Sequence, residues 1–236
     1  MEPNGQQEEK GQGKRKIGRI MLWLPYISDS IQLQLARSIL VMIAFVFFLV
    51  PMFSQFVSLN EAKLLALGVP LSIFALSTIN IVYKVIYVDG KPIAEGINVG
   101  GAIIPVAISA YLMWELRAWI VKILIILLIA IFFAWLFSIP KERGIMSIPL
   151  IEPLSVVITS VALFRGEIYL VPAVAYSTSV VGSLIGGDVL KYREAMPLVK
   201  NDTSIGGHGI IDKINIDGLH ALAISYFLIL LSSLRL

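Results

Sequence analysis

Long apolar runs constrain the fold of this chain more than any other feature. The strongest of them covers residues 118–139 and reads AWIVKILIILLIAIFFAWLFSI. A helix that crosses a bilayer needs roughly 20 mainly apolar residues. Hydrophobic residues account for 57% of the 236 residues and charged residues for only 15%, so no sizeable soluble domain remains. The sequence predicts an integral membrane protein whose principal partner is the lipid bilayer.

Several apolar segments are long enough to be candidate spans. We expect an all-α, multi-pass transmembrane helical bundle of about seven spans, with the transmembrane domain at residues 36–236. The segment at residues 21–35 is interrupted by Pro25 and Asp29, which favours an amphipathic helix at the membrane interface. The candidate spans are residues 38–58, 63–84, 100–114, 118–139, 147–164, 168–187 and 218–234.

Charge is distributed unevenly along the chain. Residues 1–20 form a polar, basic tail that suits an anionic lipid leaflet better than a nucleic acid. Placing this tail in the cytoplasm puts most of the 19 lysines and arginines on the cytoplasmic side, as the positive-inside rule requires. The sequence thus predicts a multi-pass cell-membrane protein with a cytoplasmic N-terminus, an external C-terminus and no nucleic-acid partner. Glu152, which lies near the predicted cytoplasmic face, is interpreted as a carboxylate at headgroup level.

The segment at residues 203–220 reads TSIGGHGIIDKINIDGLH and combines glycines with ionisable residues. Its glycines allow a non-helical backbone, which a bilayer tolerates only inside protein or beside a cavity. We therefore expect a broken or re-entrant element at residues 204–217. Asp212 in this segment and Asp188 in SLIGGD are candidate functional residues, because a carboxylate is costly to bury in hydrocarbon.

The first functional hypothesis is a shared acidic site, formed by Asp188 and Asp212, that serves ion-coupled or small-solute transport. The two carboxylates would bind a proton or a cation. Asparagine and serine side chains would supply neutral oxygen atoms, and glycines would let the backbone approach the bound species. These residues are Asn80, Asn98, Gly100, Gly101, Gly186, Gly187, Ser204, Gly206, Gly207 and Gly209.

The second hypothesis is an intramembrane aspartyl protease. Two neighbouring carboxyl groups can share one proton, so that one activates water while the other protonates the scissile carbonyl. LIGGDVLK around Asp188 resembles the Gly-x-Gly-Asp signature of presenilin-like and prepilin-peptidase-like proteases. Ile185 stands where that signature has glycine, and no Pro-Ala-Leu motif follows. A structural membrane subunit with unidentified protein partners is a third class that the apolar surface leaves open.

A metal site is a further interpretation of the same segment. The chain contains no cysteine, which excludes disulfides, thiolate ligands and cysteine nucleophiles. His208, Asp212, Asp217 and His220 could offer imidazole and carboxylate ligands to zinc or manganese. The glycines at residues 206–209 disfavour a regular helix that would align these ligands. We therefore expect neither a metal nor a cofactor, and interpret both histidines as peripheral.

A short internal repeat links two of these segments. INVGG at residues 97–101 is followed by VAISAYLM, and TSIGG at residues 203–207 is followed by LAISYFLI. We expect the two copies to run in the same direction and to frame a central site at their interface.

Three motifs of the chain are distinctive when taken together. They are INVGGAIIP at residues 97–105, SLIGGDVL at residues 183–190 and SIGGHGIIDKI at residues 204–214. In this order they resemble the patterns INVGGALIP, TLIGADLL and SIGGAGTFDGI of domain of unknown function 1614, an uncharacterised family of prokaryotic polytopic membrane proteins. The resemblance covers most of the chain from about residue 60 onwards.

The resemblance implies an architecture and a set of candidate residues without implying an activity. It matches Asp188 and Asp212 to the family's two aspartates, and it matches Asn98 and the glycines of the first and third motifs to the family's asparagine and glycines. His208 and Asp217 depart from the family pattern, which typically has alanine and threonine at these positions. These departures weaken the metal interpretation further.

Overall fold

The computed structural model describes residues 20–22, 31–88, 90–142 and 144–234. Residues 1–19 of the predicted cytoplasmic tail lie outside the described residues, as do residues 23–30 of the predicted interfacial segment. The other residues of that segment belong to the first strand and to the start of the first helix. Its interfacial location therefore stays a prediction.

Helices make up most of the described chain, and their polar and glycine-rich ends deviate from α-helical geometry. Two π-helical segments, Val99–Ile103 and Ser183–Val189, adjoin α3 and α6, and the turn Gly209–Ile211 before α8 is a 3-10 helix. The predicted broken element at 204–217 is thus non-helical or 3-10 up to residue 212 and α-helical beyond it. The α-helices are α1 (Ile31–Phe53), α2 (Leu59–Leu76), α3 (Ile104–Glu115), α4 (Ile120–Leu136), α5 (Ile151–Leu163), α6 (Val171–Gly182), α7 (Tyr192–Ala195) and α8 (Lys213–Ser233).

Five helical segments of the described chain are long and apolar enough to cross a membrane. Two shorter apolar helices, Val99–Glu115 and Ile151–Leu163, occupy the positions of the third and fifth predicted spans. The helical class is therefore confirmed, whereas the number of seven spans stays a prediction. The five long segments are Gln32–Phe53, Leu59–Leu76, Arg117–Leu136, Ile168–Val189 and Lys213–Ser233.

The outer surface of the bundle is strongly apolar. Phe47, Leu64 and Leu128 are 74%, 71% and 67% exposed on α1, α2 and α4. A monomeric soluble protein rarely exposes contiguous apolar surface of this kind, and a bilayer would cover it. The long apolar helices and their surface are compatible with a membrane protein.

Strands correct the prediction of a purely α-helical fold. The predicted second span, residues 63–84, divides into α2 and a strand, because INIVYKVIYV is rich in β-branched and aromatic residues and pairs with the strand that follows it. The strands are β1 (Ile20–Leu22), β2 (Ile79–Val88), β3 (Lys91–Asn98), β4 (Ser138–Lys141), β5 (Gly144–Ser147) and β6 (Thr203–Ile205). They form a four-stranded sheet in the order β1-β2-β3-β6 and a separate β4-β5 hairpin.

The sheet brings distant segments to one end of the bundle. The β2-β3 hairpin connects α2 to α3, and β6, which precedes α8, pairs in parallel with β3. The register of this parallel pair places Ile97 opposite Ile205. The two copies of the proposed repeat are therefore neighbours that run in the same direction, and each leads into a glycine pair followed by an apolar helix.

Helix α6 and its π-helical extension form the centre of the bundle. Within the 18-residue apolar window of Ile168–Val189, 72% of the residues are buried, against 44% or less in the windows of the other long apolar segments. Nearly every residue of α6 is buried, and the helix packs against α3, α4, α5 and α8. A polar side chain on α6 consequently faces other helices, and it must find its hydrogen-bond partner inside the protein.

Candidate functional site

Asn98 joins the first glycine pair to the end of α2. Its side-chain Oδ1 accepts a hydrogen bond of 2.6 Å from the backbone N–H of Gly101, and so it caps the π-helical segment before α3. Its Nδ2 donates to the backbone oxygen of Ser77 at 2.6 Å and to Oδ1 of Asn80 at 3.1 Å. Asn98 is fully buried, so these bonds are protected from water.

Asn80 connects the same network to the second glycine-rich motif. Its Oδ1 accepts a hydrogen bond of 2.6 Å from the hydroxyl of Ser204, in addition to the bond from Asn98. The structure therefore brings together Asn80, Asn98 and Ser204, the three side chains predicted to supply neutral oxygen atoms. Their hydrogen bonds join β2, β3 and β6 to each other, so these side chains have a structural role.

The glycines of the two motifs permit close backbone contact. A Cβ atom at Gly101 would overlap the carbonyl of Gly206, and one at Gly100 would overlap the backbone of α2 at Ile73. Gly206 has φ +72° and Gly209 has φ +63°, a region that side-chain-bearing residues rarely adopt. The two glycine motifs are thus packed backbone to backbone.

The remaining predicted glycines have different surroundings. Gly207 lies in the turn after β6, where its N–H donates to the oxygen of Ser204 at 3.0 Å. Gly186 packs against the backbone of α4, where a side chain would collide with the oxygen of Ile131. The surroundings of Gly187 are more polar, because a Cβ atom there would lie 3.1 Å from Nζ of Lys213 and 3.3 Å from Oγ of Ser138.

Asp212 caps the N-terminus of α8. Its Oδ1 accepts a hydrogen bond of 3.2 Å from the N–H of Ile214, and its Oδ2 accepts one of 3.2 Å from the N–H of His208. Nδ1 of His208 lies 3.7 Å from Asp212 Oδ2. This interaction raises the pKa of His208, and partial burial opposes the rise. Asp212 is buried, whereas the side chain of His208 is 56% exposed.

Asp188 lies near the end of the π-helical extension of α6. Of the two predicted acids, it is the one whose carboxylate is less engaged by hydrogen bonds. Within the described residues its carboxylate makes no hydrogen bond, and its electrostatic neighbours are Asp212, Lys213 and Asp217. Lys191, three residues further along the chain, bonds to Glu194. Asp188 and Asp212 therefore lie in one electrostatic environment, while a shared proton between them stays a prediction.

A buried triad that the sequence analysis did not assign lies beside Asp188. Nζ of Lys213 lies 2.8 Å from Oγ of Ser183 and 3.2 Å from Oδ2 of Asp217, and the Ser183 hydroxyl donates to the same carboxylate oxygen at 2.8 Å. Asp217 is only 4% exposed. The i, i+4 spacing of Lys213 and Asp217 on α8 was a signal that could have identified this ion pair.

Glu152 corrects the interpretation of a headgroup-level carboxylate. It is 4% exposed, and the hydroxyl of Ser179 on α6 donates to both of its oxygens at 3.0 Å. Its electrostatic neighbours are Asp217 and Lys213. The prediction was wrong because α5 packs against α6 and α8, and Glu152 faces these helices from the first turn of α5. Ser179 on α6 and Ser183 on its π-helical extension are four residues apart. The Ser179 hydroxyl bonds to Glu152, and the Ser183 hydroxyl bonds to Asp217.

The described part of the chain contains no group of three or more histidine, aspartate or glutamate side chains arranged to hold a metal ion. His208 contacts Asp212 across a turn, whereas Asp217 is engaged by Lys213 and Ser183. His208 and Asp212 thus contact each other and Asp217 belongs to a different contact, while Nδ1 of His220 has no hydrogen-bond partner among the described residues.

The fold and the site define a predominantly helical protein with several potential membrane spans and a charged centre at the sheet-bearing end of its bundle. The chain belongs to the family described as "Protein of unknown function (DUF1614)", whose sequence pattern matches residues 65–224. The match includes every acidic and basic residue of this centre. No curated protein and no solved structure matches the chain.

Proposed function

We propose that the protein is an integral membrane transporter that couples proton or cation binding to the movement of the ion or a small solute. The observation that carries this proposal is that several carboxyl groups lie near a single ammonium group, which can compensate the charge of only one of them. A charge buried in a low-dielectric interior must be paired or neutralised. The Lys213 ammonium pairs with Asp217 and has Glu152 and Asp188 as electrostatic neighbours, and Asp212 is a further acidic neighbour of Asp188.

Asp188 is the residue to which we assign coupling-ion binding. Asp217 is held by Lys213 and Ser183, and Asp212 is held by the backbone at the start of α8. Asp188 has no such hydrogen bonds with described residues, so its carboxylate is available to a proton or cation. It also lies on a π-helical segment, and such segments occur frequently at functional sites.

The proposed topology has seven spans, a cytoplasmic N-terminus and an external C-terminus in the cell membrane. In support of it, the sheet-bearing end of the bundle carries Lys84, Lys141 and Lys200, which the positive-inside rule assigns to the cytoplasm. The charged centre then opens towards the cytoplasm through the half-exposed His208. An ion entering from that side meets Asp212 and Asp188 first.

Intramembrane aspartyl proteolysis is the second candidate function. The electrostatic proximity of Asp188 and Asp212 favours it, because two such acids can divide the roles of base and acid. The use of Asp212 as a helix cap counts against it, since both of its oxygens already accept backbone hydrogen bonds. We therefore rank transport first.

Reconstitution of the full chain in liposomes tests the two functions side by side. One set of vesicles receives a proton or sodium gradient and contains an ion-sensitive dye, and the other contains a transmembrane peptide whose cleavage is followed by mass spectrometry. Ion flux without cleavage supports transport. Cleavage without flux supports proteolysis, and absence of both favours a structural membrane subunit and contradicts both active functions.

A further inference from the structure

We infer that Glu152 is a proton-binding residue, a carboxylic acid that is protonated at neutral pH and accepts its proton through the charged centre. Its role as a proton carrier rests on the proposed transport function, whereas its protonation state does not. The inference identifies the coupling ion as a proton and assigns a site that the two aspartates alone do not provide.

The first step is the pairing of the buried charges. Among the described residues, Glu152 has a hydroxyl donor, Ser179, but no basic side chain within ion-pair distance. The nearest ammonium group, that of Lys213, is bound to Asp217 and Ser183. One positive charge therefore compensates Asp217, and Glu152 is left as a buried carboxyl group without a compensating charge.

The second step is the cost of leaving that carboxyl group ionised. An unpaired charge at such depth costs several kcal/mol, and a side chain that can titrate avoids the cost by becoming neutral. The carboxyl group of Asp217 is an electrostatic neighbour of Glu152. Two ionised carboxylates in this environment would repel each other, and protonation of Glu152 removes that repulsion.

The third step is an unpaired polar group beside the charged centre. The hydroxyl of Ser138 is buried and has no hydrogen-bond partner among the described residues. The Ser138 hydroxyl and the Lys213 ammonium group are neighbours, because a Cβ atom at Gly187 would lie 3.3 Å from the first and 3.1 Å from the second. A buried hydroxyl without a hydrogen-bond partner points to a small polar ligand such as water or hydronium.

Polar residues of the charged centre extend from the surface towards Glu152. The half-exposed imidazole of His208 contacts Asp212, and Lys213, Ser183 and Asp217 contact each other next to Glu152. When a hydronium ion delivers the proton, one of its O–H bonds breaks to leave water, an O–H bond forms on a Glu152 oxygen, and the negative charge of that carboxylate is removed. The titratable groups that face Glu152 are Asp217 and Lys213, both on α8.

Infrared spectroscopy of the purified full chain tests this inference without a transport assay. A protonated carboxyl group gives a carbonyl stretching band that an ionised one lacks, and labelling all glutamates with carbon-13 shifts only glutamic acid bands. We expect one such shifted band at neutral pH, lost in Glu152→Gln and retained in Glu115→Gln, which alters an exposed glutamate. A spectrum without a glutamic acid band, or one unchanged by Glu152→Gln, overturns the inference.

Ser179→Ala provides a second readout that does not require loss of Glu152. Removal of the hydroxyl donor should shift the frequency of the Glu152 band, because the carboxyl group loses its hydrogen bond from α6. An unchanged frequency contradicts the assignment. The outcomes also separate the two proposals: a Glu152 band in a protein without ion flux rejects transport alone, whereas flux without the band rejects the protonation of Glu152 alone.

Discussion

Ser183 on the π-helical end of α6 donates a 2.8 Å hydrogen bond to Asp217 on α8, and its oxygen also lies 2.8 Å from Nζ of Lys213. One hydroxyl therefore joins the two charged partners of a buried ion pair to the central helix. This relationship holds the start of α8 against α6, and it places the charged centre where the strands and glycine motifs meet.

Replacement of Ser183 by alanine should destabilise the fold. The substitution leaves Asp217 and Lys213 with one hydrogen-bond partner fewer, and leaving a buried polar group unsatisfied costs about 1–3 kcal/mol. Ser225→Ala is the matched control, because the Ser225 hydroxyl bonds only to a carbonyl of its own helix. Reversible unfolding in mixed micelles measures both free energies, and equal losses in the two variants would contradict the bridging role.

Replacement of Lys213 by methionine should be more damaging. It leaves the buried Asp217 carboxylate without its cation, and breaking one side of a buried ion pair costs about 3–5 kcal/mol. The double variant Lys213→Met with Asp217→Asn should recover part of the lost stability, because the uncompensated charge is removed as well. Thermal unfolding of both variants checks this, and a double variant less stable than the single one would reject the ion-pair account.

Replacement of Gly101 by alanine should disrupt the contact between the two glycine motifs. The added methyl group would overlap the carbonyl of Gly206, and overpacking of this kind typically costs about 1–3 kcal/mol. Gly68→Ala on α2 is the control, since a Cβ there meets no atom within 4 Å and alanine favours a helix. Unfolding midpoints should fall for the first variant and stay level or rise for the second. A tolerated Gly101→Ala would show that the motifs need no close approach.

The glycine contact shows how far the sequence could predict the site. The repeat of INVGG and TSIGG predicted neighbouring motifs that run in the same direction, and glycine was the residue type that such an approach requires. The strands themselves were missed, because an apolar run such as the one continuing from α2 into INIVYKVIYV has the hydropathy of a longer span. Its β-branched residues and the Asp-Gly at residues 89–90 were the available signals for a hairpin.

Glu152 shows what the sequence could not provide. Its partner Ser179 lies 27 residues away on another helix, and their contact depends on how α5 and α6 pack. The position of Glu152 between Pro149 and Pro153 indicated only that the residue lies near a membrane face. The aspartates were easier to nominate because each adjoins a glycine-rich motif, but the lysine that compensates their charge was recognisable only through its spacing from Asp217.

His208 should make stability depend on pH in a defined direction. Its pKa is raised above 6.5 in the folded protein, mainly by the interaction of its imidazole with the Asp212 carboxylate. The protonated form therefore stabilises the fold below about pH 6.5, the ordinary value, and this contribution is lost as the pH rises through the raised folded-state pKa. The pH dependence of the unfolding midpoint should be flatter in His208→Gln than in the unaltered protein.

Asp212→Asn is the companion test of this interaction. Asparagine still caps a helix, so α8 should begin at the same residue while the negative charge next to His208 disappears. The pKa of His208, followed by NMR titration of its imidazole, should fall towards its ordinary value. An unchanged pKa would show that Asp212 does not set the titration of His208.

The central claim, that the buried acidic centre binds the coupling ion through Asp188, is tested most directly by ion flux into liposomes containing Asp188→Asn. Glu115→Gln serves as the control because it neutralises an exposed acid at the end of α3 remote from β3. We predict that flux is abolished in Asp188→Asn and retained in Glu115→Gln at equal amounts of folded protein. Full flux in Asp188→Asn would contradict the account.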